Sequence, residues 1–174
     1  MLMVSEKLLD EDNVMDMDRL LTQYGDSLLR LCFLYLKDPH LAEDSVQDTI
    51  IKANRSCAHF KGDSSEKTWL TRIAINICKN YMRSIWWKRA DPEKVLAQIP
   101  AEEGWENVRD DTLLLEVMKL SPKYKEVILL FYYQEMRIRE ISQVLLVSEG
   151  TVTVRLKRAR EILKNKLKGW YYDE

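Results

Sequence analysis

Glu43, Asp44, Gln47 and Asp48 recur on consecutive turns of one helical segment, AEDSVQDTIIKANRSC. Carboxylates at i and i+4 are a minimum for acid–base catalysis or for a metal ion. The face they share is one that water reaches, so the pattern fits a polar surface for docking another protein's basic helix better than it fits an active site. Cys32, Cys57 and Cys78 are odd in number and form no C-x-x-C pair, and His40 and His59 are too scattered to complete a zinc site with them. The expectation is no catalytic residue, no metal and no cofactor.

A second kind of chemistry is carried by cations. Between Trp69 and Ile85, Arg72, Asn76, Lys79, Asn80 and Arg83 stand at i, i+4, i+7, i+8 and i+11. At about 100° per residue they share an arc of roughly 100°. Lys and Arg bind phosphate, whereas amide side chains read base edges. Asn weakens a helix, so two of them inside a cationic stripe favour a DNA contact. Trp69 shares the arc but is read as core-packed. Trp86-Trp87 is read as packing at the helix end in preference to stacking on bases. The preceding loop, Lys61-Gly62-Asp63-Ser64-Ser65, is turn chemistry and can receive an unstacked base. Further along, IREISQVLLVSEGTVTVRLKRAREIL reads as a short helix, a tight turn and a longer basic helix. Val152, Leu156, Ala159, Leu163 and Leu167 gather on one side of the latter. Val154, Lys157, Arg158, Glu161 and Lys168 lie opposite, flanked by Thr153 and Lys164. That is helix-turn-helix geometry, with the second helix bound for a DNA major groove. A solvated cationic face that needs no ligand is the competing account of either stripe.

The elements that must position these stripes are helical throughout. Apolar residues make up 46% of 174, enough for a core, and five Gly and four Pro are too few for an all-β fold. Helical spacing runs from Met17 to about Lys37, where Asp38-Pro39 stops it. A second helix extends from His40 to about Phe60 and a third from Thr68 to Trp87. Its apolar side is Leu70, Ala74, Ile77, Cys78, Tyr81 and Ile85. A short helix follows at 110–120, then one opened by Ser121-Pro122 and running to Tyr133, then helices at 138–145 and 149–168. Ser148 is the expected N-cap of the last. The fold class is all-α: two small helical bundles joined by a flexible acidic linker.

Net charge sorts along the chain in the same way. It is −7 over residues 1–51, +7 over 52–90, −5 over 91–122 and +6 over 123–168, inside a chain of net −1. Two separated basic blocks predict two separate contacts with a polyanion. No apolar run is long enough for a membrane span, and the acidic N-terminus lacks the order of a secretory signal. Together with the cysteine count, this points to the cytoplasm and to no membrane insertion.

YGDSLLRLCFLYLKDPHLAEDSVQDTIIKA, FKGDSS and TWLTRIAINICKNYMR together resemble region 2 of the extracytoplasmic-function sigma factors of bacterial RNA polymerase. LSPKYKEVILLFYYQEMRIREISQVLLVSEGTVTVRLKRAREIL resembles their region 4. The resemblance covers roughly three quarters of the chain, and AED-x-VQ-D, TWL-x-RIA-x-N and EGTV-x-x-RL-x-RAR are specific in combination. Residues 1–15, which lack a period, read as a loose lead, and 90–109, with two Pro, a Gly and many acids, as a linker; the resemblance implies region 2 at 16–89 and region 4 at 110–170. Asp44, Gln47, Asp48 and Ile51 fall where the family docks on the clamp helices of the largest polymerase subunit. The flap of the second-largest subunit is the other implied core contact. Lys61, Ser64 and Lys67 fall in the loop that holds a flipped base of the −10 element. Asn76, Lys79, Asn80 and Arg83 fall on the helix beside it. Thr151, Thr153, Val154, Arg155, Lys157 and Arg158 fall on the −35-reading helix of the helix-turn-helix at 138–157. An anti-sigma factor is a further implied partner.

The chain departs from the family pattern in three places. Arg137 replaces a capping Ser, which predicts a frayed helix start. Leu146 replaces a turn Gly, at a cost of about 1 kcal/mol if its φ is positive. Thr153-Val154 replaces a basic-Ser pair on the base-reading surface. The implied function is a promoter-specificity subunit without catalysis. A linker of about 20 residues reaches at most roughly 65–70 Å, which is about 20 base pairs. The rivals are an autonomous helix-turn-helix regulator, which has no use for residues 40–89, and a helical adaptor that binds only protein.

Overall fold

The computed structural model describes residues 15–84 and 111–171. The linker at 90–109, Ile85, Trp86-Trp87 and nearly all of the lead at 1–15 lie outside them. Among the described residues there are seven α-helices and no strand: α1 Met17–Leu36, α2 Pro39–Ser56, α3 Glu66–Arg83, α4 Asp111–Lys119, α5 Pro122–Ile128, α6 Ile138–Leu145 and α7 Glu149–Tyr171.

Local chemistry sets most boundaries. Asp16 caps α1 by accepting the Arg19 N–H at 2.9 Å. Asp38 ends nothing by itself; Lys37, at φ 60°, closes α1, and Asp38 then caps α2 by accepting the Leu41 N–H, with Pro39 at the first helical position. Ser65 caps α3 in the same way through Thr68, which starts that helix two residues earlier than its apolar spacing indicates. Ser121 occupies the N-cap position of α5 with no capping bond from its side chain; Pro122 does the ordering. The helix expected to reach Tyr133 does so in two parts, because Leu129–Tyr133 widens into a π-type turn.

Helices α1, α2 and α3 form one bundle, and α4 to α7 form the second around Leu114, Val127, Ile141, Val152, Leu156 and Ala159. The two bundles are not held apart. Helix α6 packs on α3 and the π-type turn packs on α1, so a continuous core runs through both. This explains why Leu31, Cys32, Phe33, Leu34, Tyr35 and Leu36 are all buried. An isolated three-helix bundle covers one stripe of α1, and burial on every side needs a second layer.

Candidate nucleic-acid interface

Helix α3 has three faces. Leu70, Ala74, Ile77 and Cys78 enter the first bundle's core, as their spacing indicates. Arg72, Asn76, Asn80 and Arg83 stand in solvent together. Between these faces lies a strip with no counterpart in the sequence reading. Thr68 and Ile75 are buried there, and Lys79 is half-buried, with its ammonium 3.3 Å from the Glu126 carboxylate of α5. The cationic stripe is therefore mostly open, and Lys79 is the member that a second-bundle acid engages.

The loop ahead of α3 exposes Lys61, Gly62 and Asp63, with Ser64 half-buried. Gly62 has φ 75°, and open space surrounds the position a Cβ would take, so backbone conformation rather than crowding calls for glycine. Beside the loop, the rings of Phe60 and Trp69 stack with centroids 4.6 Å apart. Trp69, half-buried, packs against the core as its reading indicates and stacks on an aromatic partner at the loop as well. Phe60 carried no periodic signal that would have singled it out. Lys67 is half-buried and donates to the Gln134 carbonyl oxygen at 2.5 Å. The N-terminus of α3 is tied to α1 by Arg19, which holds Glu66 at 2.6 Å and lowers its carboxyl pKa by that hydrogen bond.

On α2, Asp44, Gln47, Asp48 and Ile51 all face outward on one side. Ile51 is 49% exposed, an apolar side chain in the middle of an acidic surface. Asp48 accepts the Tyr81 hydroxyl at 3.0 Å; burial and then that bond raise the Tyr81 pKa. Leu21, Gly25, Leu29, Val46 and Gln47 line a groove of about 280 Å³ beside this face.

Helices α6 and α7 meet at Leu146, whose φ of 55° and ψ of 45° put it in the left-handed region. The strained turn foreseen from a missing glycine is present. The foreseen fraying at Arg137 is not: the Glu140 carboxylate accepts the Arg137 N–H at 2.8 Å and pins the first turn of α6. Ser148 caps α7 by accepting the Thr151 N–H at 3.1 Å, and its hydroxyl also meets that of Thr151 at 2.8 Å. Val152, Leu156, Ala159 and Leu163 are buried on the predicted side of α7. Thr153, Val154, Lys157 and Arg158 are exposed opposite. Thr151 and Arg155 are half-buried, and the Thr151 hydroxyl is committed to the cap.

The site is therefore two open, cation-bearing helix faces and one acidic face with an apolar centre. Among the described residues no cluster of His, Cys, Asp or Glu is placed to hold a metal ion, and no helix is long and apolar enough to cross a membrane.

Family models match both halves: Sigma-70 region 2 over residues 20–88, and Sigma-70, region 4 over residues 111–163. The RNA polymerase sigma factor YlaC of Bacillus subtilis is 32% identical over 173 residues, covering 90% of this chain and 94% of its own. The ECF RNA polymerase sigma factor SigW of the same species is 30% identical, covering 83% of this chain and 85% of its own. The chain belongs to the ECF sigma factors. Solved structures agree with that fold. CnrH, in complex with the cytosolic domain of CnrY, superposes with a TM-score of 0.68 at 25% identity over 88% of each chain. The sigma factor RpoE of Bartonella quintana, in complex with the anti-sigma factor NepR, gives 0.70 at 24% identity over 91% of this chain and 99% of that one. A sigma factor directs core RNA polymerase to promoters and catalyses nothing itself. The autonomous-regulator alternative leaves the region 2 match without a purpose.

Proposed function

We propose that this sigma factor divides promoter recognition between its two cationic faces while docking on core polymerase through its acidic one. Region 2, taken as 16–89, binds the clamp helices through Asp44, Gln47, Asp48 and Ile51. The loop bearing Lys61, Ser64 and Lys67 receives an unstacked −10 base, and Asn76, Lys79, Asn80 and Arg83 run along the strand beside it. Region 4, taken as 110–170, places Thr153, Val154, Lys157 and Arg158 of α7 in the −35 major groove. Thr151 and Arg155 lie at the margin of that surface. The linker at 90–109 joins the two contacts. The chain works in the cytoplasm, where core polymerase is, and an anti-sigma factor is a further partner.

One observation carries this reading: Arg72, Asn76, Asn80 and Arg83 of α3 and Lys157 and Arg158 of α7 all stand in solvent, although the two bundles pack together. Replacing Asn76, Lys79 and Asn80 together by Ala is the test. Initiation with core enzyme on a promoter mapped from the wild-type transcript start should be lost, while co-purification with core persists. Unchanged initiation would support the adaptor reading. Tight sequence-specific binding to promoter DNA without core enzyme would support the autonomous regulator.

A further inference from the structure

In the first two turns of α7 the side-chain donors are already spent inside the protein. The Thr151 hydroxyl is paired with that of Ser148 in the cap. The Thr153 hydroxyl donates to the Glu149 carbonyl oxygen one turn back, at 2.9 Å. That bond uses the only hydrogen it could give a base, so Thr153 has its γ-methyl and an oxygen lone pair left to offer. Val154, next to it, is 50% exposed and carries no polar atom. Glu149, exposed at the helix start, only accepts when ionised, and Arg155 is half-buried on the flank. Exposed donors resume one turn further on, at Lys157 and Arg158. Val154 takes no part in the core, and a β-branched residue is a poor helix former, so the fold itself gives no reason for it.

In the major groove thymine alone carries a C5-methyl group, where cytosine has a hydrogen, and threonine methyls and apolar side chains are what meet it. Adjacent Cα atoms lie about 3.8 Å apart, near the roughly 3.4 Å rise per base pair, so residues 153 and 154 can face consecutive steps. We propose that Thr153 and Val154 read thymine C5-methyl groups at adjacent positions of the −35 element. This rests on α7 lying in the −35 groove, as given under Proposed function. A basic residue in this pair would select guanine through its O6 and N7 acceptors. With Thr153-Val154 in place of a basic-Ser pair, a hydrogen-bonding reader becomes a methyl reader. Cytosine is then rejected for the methyl it lacks and not for its amino group, and 5-methylcytosine is accepted. The rival use of Thr153, in which its lone pair accepts from the amino group of cytosine or adenine, is indifferent to that methyl.

The experiment uses holoenzyme assembled from the full chain and core enzyme, on fluorescent duplexes carrying a promoter mapped from the wild-type transcript start. Each thymine of the −35 region is replaced in turn by uracil, which removes the methyl and keeps every hydrogen-bonding atom. Uracil at two adjacent positions should weaken binding about fourfold each, the effect of burying one methyl group, and should be silent elsewhere. Cytosine at a sensitive position should also weaken binding, and 5-methylcytosine there should recover about fourfold. Val154→Ala should abolish the uracil effect at one position. Thr153→Ser keeps the hydroxyl bond to Glu149 and deletes only the methyl, and it should abolish the effect at the other. The proposal is overturned if no thymine responds to uracil, or if the response survives in both variants, which would assign it to another residue or to DNA shape. Lys157→Ala combined with Arg158→Ala is measured alongside. If that variant binds as wild type does, α7 is not on the −35 element and the reading under Proposed function falls together with this one. If it binds more weakly while uracil is silent, the promoter reading stands and the methyl readout alone falls.

Discussion

At the turn between α6 and α7, two residues pull stability in opposite directions. Leu146 is 68% exposed and left-handed, so its side chain buries little while its Cβ strains the backbone. Leu146→Gly should raise unfolding free energy by roughly 0.5–1 kcal/mol, after allowing for the added freedom of the unfolded chain. Two positions on, Ser148 supplies the cap of α7 through the Thr151 N–H. Ser148→Ala should lower stability by about 1 kcal/mol. Urea midpoints of the two variants, read against wild type, should move apart; a drop for Leu146→Gly would show that the leucine side chain contributes more in that turn than its exposure indicates. The cysteines of the core contribute differently. Cys32 is buried, and hydrogen bonding with Cys78, together with burial, pushes its thiol pKa well up, which suits a small apolar filler and not a nucleophile.

At the scale of the element, the −35 contact proposed above divides α7 into positions that hold DNA and positions that read it. Lys157 and Arg158 are exposed cations suited to phosphate, whereas Thr153 and Val154 offer a methyl-bearing surface to base edges. Changing either cation to Ala should lower the salt dependence of region 4 binding to duplex DNA, log K against log salt, by about 0.9. Changing Val154 should alter sequence preference with the slope intact, and binding titrations at several salt concentrations separate the two. How much of α7 could be read in advance follows from its isolation. One side meets its own bundle and the other meets water, so a helical wheel sorts it correctly. Helix α3 defeated the same reasoning, because Thr68, Ile75 and Lys79 meet a second bundle, and no wheel shows how many neighbours a helix has. A signal did exist in α1: six consecutive apolar residues, Leu31–Leu36, need more cover than two helices provide. Arg137 misled for a related reason, since its missing cap is compensated by Glu140 acting on the backbone N–H three residues earlier.

The whole molecule should respond to pH through the ammonium trapped between its halves. Burial, and then the charge of Lys37, lower the Lys125 pKa from 10.5 to about 8. Between those values the unfolded chain binds a proton that the folded chain does not. Stability therefore rises with pH from about 8 upward, because the unfolded state holds more protons there. Below about pH 8 both states are protonated and the desolvation cost is present in full. The gain is confined at its upper end, since burial raises the pKa values of Tyr35 and Tyr81 above 10. Unfolded tyrosines ionise from about pH 10, and from there the folded chain holds more protons and the slope reverses. Lys125→Met keeps the stem packed against the Tyr35 ring while removing the charge. It should be more stable than wild type at pH 7 and should lose the rise between about pH 8 and 9.5. Denaturant midpoints at pH 7, 8.5 and 9.5 for both proteins check this. An equal pH slope in the methionine variant would mean that a group other than the lysine buried between the regions sets the dependence.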